Sequence, residues 1–167
     1  MSDYDDGFML EGHCGLRIDH VEDAVFAFTR GLQAFQPQSH TLICSTAKLE
    51  DLAVQRFLIS SEEQANDVIR TLCETLDQHA DSFWADYSQL KHLDALFNAP
   101  DERSRQLITN RPQAYLRGLV VAHLLERVDF EELVHKQRSR MEAAHANPVW
   151  MQGFEELVTE LRGHWLH

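Results

Sequence analysis

The stretch Thr41-Leu-Ile-Cys-Ser45-Thr-Ala-Lys-Leu-Glu50-Asp-Leu-Ala-Val-Gln55-Arg-Phe-Leu-Ile59 decides whether this chain is wholly helical or carries a sheet. Its first five residues are short, β-branched and placed after Pro37, which reads as a strand. The remainder reads in two ways. Leu49, Leu52, Ala53 and Phe57 fit one helix face, whereas Ala53–Ile59 fits a second strand after a turn at Glu50-Asp51. Short apolar runs carry no decisive period. The strand reading of 54–59 is preferred, paired with 41–45. The fold class expected is mainly α-helical, with about five to six helices by periodicity, or α+β with one small antiparallel β-hairpin at about 40–60.

Downstream the helical signals are stronger. Ser61-Glu-Glu-Gln64 has the form of a capping box. Ala65, Val68, Ile69, Leu72, Cys73 and Leu76 then share a face. A separate helix is expected over 82–98, stopped by Asn98-Ala-Pro100. A short helix is expected near Arg103–Ile108. An apolar helix over about 113–128 has Pro112 in its first turn. Asp129 and Glu132 suggest a second capping box opening a helix over 129–145, and a last helix covers 149–164 after Asn147-Pro148. Upstream, Val21, Ala24, Val25, Phe28, Leu32 and Phe35 predict a helix from Asp19 to the break at Pro37. Residues 1–16 read as an irregular acidic arm. The length, 167 residues, suits a single domain over 1–167.

The net charge is -12. That balance opposes nucleic-acid binding, which needs a basic face, and opposes docking on an acidic membrane surface. The N-terminus lacks the basic and apolar regions of a signal peptide, so a cytoplasmic location is expected. Cys14, Cys44 and Cys73 are odd in number and in no CxxC pair, which indicates no disulfide framework. Cys44 and Cys73 are expected to pack as small apolar residues. Charge is unevenly distributed. Residues 1–23 and 50–102 are strongly acidic, whereas 103–140 hold Arg103, Arg105, Arg111, Arg117, Lys136, Arg138 and Arg140. The basic band is expected to balance the acids of 50–102.

Catalytic motifs are scarce. No GxSxG elbow, P-loop or GxGxxG is present. His123 on the apolar helix face reads as a core residue, with Glu126 one turn on as a remote acid–base partner. Two ExxH pairs, Glu132 with His135 and Glu142 with His145, are weak metal candidates. Both lie on one expected helix and are separated by about 15 Å of rise, so they do not share a site. His164 and His167 sit in a terminal turn that frays. No metal and no cofactor are expected.

These features favour a non-catalytic protein-binding module that captures or inhibits a basic partner, as an antitoxin or immunity protein does, through charge complementarity. The residues expected to bind it are Asp3, Asp5, Asp6, Glu62, Glu63, Asp67, Glu74, Asp77, Asp81, Trp84 and Asp86. Among them Glu63, Asp67, Glu74 and Asp77, with Arg70, fall at three- and four-residue steps on one helix ridge. Two alternatives stand beside this reading. One is a small helical enzyme or metal- or ligand-binding protein with an inter-helix pocket. The other is a structural or regulatory homo-oligomer joined through Trp84, Trp150 or Trp165.

Overall fold

The computed structural model describes residues 7–29, 32–99, 107–108 and 110–164. The fold is mainly α-helical with a small antiparallel β component, as expected. In chain order the elements are β1 (Phe8–Leu10), β2 (His13–Leu16), α1 (Asp19–Phe28), a 3-10 turn (Gln33–Gln38), β3 (Leu42–Ser45), α2 (Thr46–Leu49), β4 (Phe57–Ile59) and α3 (Glu62–Tyr87). They continue as α4 (Leu90–Asn98), α5 (Arg111–Leu124), α6 (Phe130–Ala143) and α7 (Pro148–His164). The chain divides into two compact units, one of residues 1–15 and 43–86, the other of 16–42 and 87–167.

In the first unit both expected strands form at 42–45 and 57–59, but they do not pair with each other. β4 pairs antiparallel with β1, placing Met9 opposite Leu58, and β3 pairs with β2. The partners come from the segment expected to be irregular. Residues 8–10 and 13–16 are strands, because Phe8, Met9, Leu10 and Cys14 supply apolar positions to a ladder that the spacing of 41–59 alone could not reveal. Between β3 and β4, both readings of 46–59 hold in part. Thr46–Leu49 is one helical turn, ended by Asp51 at φ 57°. The N–H of Leu52 bonds the Ala47 carbonyl and that of Asp51 the Lys48 carbonyl, the two bonds of a Schellman cap.

α3 runs unbroken through the boundary expected near 78–82. Asp77-Gln-His-Ala-Asp-Ser82 contains neither Gly nor Pro, and Ser82 bonds the His79 carbonyl within the helix instead of capping a new one. The start matches the capping box in one bond: Ser61 Oγ accepts from the Gln64 N–H. The Gln64 side chain reaches back to the N–H of Ser60, one residue earlier than the motif prescribes.

The second unit is built around α5. Leu116, Leu119, Val120, Val121 and Ala122 are all buried, so this helix is covered on every side. α1, α4, α6 and α7 pack on it. At the α4 crossing, Gly118 lets the backbones approach. A Cβ there would lie 2.6 Å from Asn98 Oδ1 and 3.1 Å from Phe97 Cβ. Asn98 donates to the Gly118 carbonyl at 2.9 Å and accepts from Gln137 Nε2 at 2.7 Å, which links α4, α5 and α6 through buried amides.

Helix ends differ from expectation where local bonds outcompete periodicity. α1 stops at Phe28, and Phe35, expected inward, is 61% exposed. α5 ends at Leu124 and α6 at Ala143, each in a Schellman cap with a positive-φ residue, Glu126 (51°) and His145 (50°). Asp129 precedes α6 without capping it, because Arg127 Nε and NH2 hold both its oxygens. The expected helix near Arg103–Ile108 falls largely on residues outside the described set.

Candidate interaction surface

Every acid expected on α3 is exposed. Glu63, Asp67, Arg70, Glu74, Asp77, Asp81 and Trp84 alternate in steps of four and three, so they form one nearly straight line about 31 Å long. The opposite face carries the side chains that hold α3 in the first unit: Val68, Thr75, Ala80 and Phe83 are buried. Gly12 closes on Leu72, whose Cδ2 would stand 2.7 Å from an added Cβ. Thr75 Oγ1 lies 2.7 Å from Glu50 Oε1. Only four of the 26 residues of α3 are buried, which leaves the acidic face wholly in water.

Along this line Asp67 accepts a 2.6 Å bond from Arg70, one turn on. The side chains of Glu63, Glu74, Asp77 and Asp81 make neither a hydrogen bond nor an ion pair among the described residues. Trp84 closes the line. It is 44% exposed, and its Nε1 donates to the Gly15 carbonyl at 3.1 Å, so the ring is fixed on the surface. Helical spacing puts Glu62 and Asp86 off the line, about 100° from Glu63 and about 160° from Trp84 around the helix axis. Asp3, Asp5 and Asp6 lie outside the described residues, as do Arg103, Arg105, Trp165 and His167.

The N-terminal end of α3 meets the β1–β4 sheet at an open cleft of about 400 Å³ lined by Gly7, Phe8, Ile59, Ser60, Ser61, Glu62 and Ala65. Met9 and Leu58, facing each other across that sheet, are both exposed, as is Phe8. Acid and apolar surface therefore occur together in the first unit.

Among the described residues the basic segment meets the acids of 50–102 only in part: Arg127 pairs with Asp94, while the other cations with ionic partners reach acids elsewhere. Arg117 is buried and forms a bidentate pair with Glu22, Nε to Oε1 and NH2 to Oε2, both at 2.8 Å. Arg138 grips Glu155 in the same way, and Lys136 donates to the Asn98 carbonyl. Arg140 bonds Gln137, and Arg111 is exposed. Register explains the rest: α5 and α6 turn Arg117, Lys136 and Arg138 toward α1, α4 and α7 of their own unit. Arg162 holds the Glu131 carboxyl below its usual range by a two-bond contact, and Arg127 does the same for Asp129.

Glu132 and His135 are exposed on α6, whereas His145 has left the helix at its positive-φ cap, so the second ExxH pair loses its helical geometry. Among the described residues no three His, Cys, Asp or Glu side chains gather closely enough to hold a metal ion. Glu126, also at a cap, does not extend the His123 face, and His123 instead meets Phe130 edge-on at 6.3 Å. Cys44 is buried as expected. Cys73 is exposed, and Cys14 takes the buried place instead. Among the described residues no helix is long and apolar enough to cross a membrane.

Sequence reasoning found the α3 ridge, whose signal is a three–four repeat of charge. It missed the Glu22–Arg117 pair, whose partners are 95 residues apart and carry no local signature. Comparison of the chain with family models, with curated proteins and with solved structures finds no match.

Proposed function

We propose that the chain is a non-catalytic, cytoplasmic protein-binding module that captures or inhibits a basic protein, in the manner of an antitoxin or immunity protein. One observation carries the reading: Glu63, Glu74, Asp77 and Asp81 project from one side of α3 with no cation paired to them among the described residues. Only Arg70, paired with Asp67, interrupts this row of acids; the remaining carboxylates repel one another, and a cationic partner relieves that repulsion while gaining electrostatic steering. Trp84, held at the end of the row by Gly15, supplies a rigid aromatic contact of the kind that anchors interfaces.

The test is affinity capture at low salt with the wild-type chain and with a Glu63→Lys, Asp67→Lys, Asp77→Lys variant. The wild type is expected to retain a basic protein that the variant does not, with affinity falling steeply as salt rises. Equal retention by both chains, insensitive to salt, would end this proposal. Homo-oligomerisation has one observation in its favour, the exposed Met9–Leu58 pair beside Phe8. Sedimentation as a monomer at high concentration would remove it.

A further inference from the structure

Gly12 and Thr46 fix how β2 and β3 align. The Thr46 N–H donates to the Gly12 carbonyl at 2.9 Å, and beyond the other end of the ladder the Ile18 N–H donates to Thr41 Oγ1. The strands therefore run antiparallel, His13 opposite Ser45 and Leu16 opposite Leu42. The same register puts Cys14 directly opposite Cys44, on one face of the ladder. Both are reduced and buried, at 3% and 2% exposure. Directly opposed antiparallel residues have Cα atoms about 4.5–5.5 Å apart, within the span of about 4.4–6.8 Å that a disulfide bridges.

We propose that Cys14 and Cys44 are a site of covalent modification, forming an intramolecular disulfide across the β2–β3 ladder by exchange with a small disulfide such as oxidised glutathione. One thiolate attacks a glutathione sulfur, forming a mixed disulfide and releasing one glutathione thiolate, which takes up the proton the cysteine lost. The opposed cysteine, losing its proton, then attacks the protein sulfur of that mixed disulfide and expels the second glutathione. Two protein thiols are oxidised to one disulfide, and one glutathione disulfide is reduced to two thiols.

The same surroundings that align the pair restrain it. Burial, with a smaller push from Cys14 and against the pull of Lys48, raises the Cys44 thiol to about 11, and burial also raises Cys14. Little thiolate exists at neutral pH, so exchange is slow and proceeds through local opening of this four-residue ladder. In a reducing cytoplasm the pair rests as thiols and closes only under oxidation. The bond encloses the segment that contains α1, between β2 and β3.

The experiment uses the full chain carrying Cys73→Ser, so that the exposed thiol does not compete. It is exposed to oxidised glutathione both natively and during refolding from urea, then analysed by intact mass and peptide mapping. The expected product has lost two hydrogens, contains a Cys14–Cys44 linked peptide, reverts with dithiothreitol and melts at a higher temperature than the reduced chain. Native formation is expected to quicken as pH rises. Adding Cys14→Ser or Cys44→Ser is expected to leave a glutathione adduct on the remaining thiol. A refolded chain with both thiols free, or with a persistent glutathione adduct while both cysteines are present, would overturn the proposal.

Discussion

Glu22 and Arg117 exchange two charge-assisted hydrogen bonds at 2.8 Å with side-chain exposures of 0% and 8%. Inside a core, a bidentate pair of this kind offsets the cost of dehydrating both ions only while both are present. Glu22→Ala is expected to destabilise the protein by about 3–5 kcal/mol, because it strands a buried guanidinium. Glu22→Met with Arg117→Met is expected to recover most of that loss. Urea denaturation of the two single variants and the double variant measures the coupling, and strictly additive losses would show that the pair is not coupled. Neither residue was legible as half of a pair. Glu22 sits where acids ordinarily favour a helix N-terminus, and Arg117 sits in a band of cations. Only packing of α5 on α1 brings them together.

The elements were more legible than their boundaries. The apolar positions of α3, α5, α6 and α7 recur at helical spacing, and the structure places helices there. Boundaries moved where a particular bond intervened: Arg127 took Asp129 from its capping role, and Glu126 and His145 ended their helices without glycine. Strand partners were not legible at all, since two three- or four-residue segments with matching faces fit several pairings equally. The ridge on α3 was legible because charge spacing on an exposed helix needs no tertiary information. The α4–α5 crossing provides a test at this scale. Alanine ordinarily improves a helix by about 0.5–1 kcal/mol over glycine. Gly118→Ala is nevertheless expected to destabilise, by about 1–3 kcal/mol, because its Cβ would meet Asn98 Oδ1 and the Phe97 side chain. A thermal midpoint equal to or above wild type would show that the two helices part without cost.

Across the molecule, acid sensitivity follows from the carboxylates held by arginine. Arg127 and Arg162 keep Asp129 and Glu131 below their usual range. Such groups contribute stability above their unfolded values, about 4, and lose it as pH falls through the lower folded values. The thermal midpoint is expected to drop as pH is lowered from 5 toward 2 (both values here being roughly the carboxylate range), and Arg162→Gln is expected to make that drop shallower. An identical profile for the variant would remove Glu131 from the account. The same long-range connectivity bears on how the chain is made. Glu22 leaves the ribosome 95 residues ahead of Arg117, an interval of roughly 5–20 s at ordinary elongation rates. Throughout that interval the nascent α1 presents Val21, Val25 and Phe26 without the helix that later buries them. Synthesis therefore leaves a timed window in which this apolar segment lacks its cover, and any pause in translation between residues 22 and 117 lengthens it.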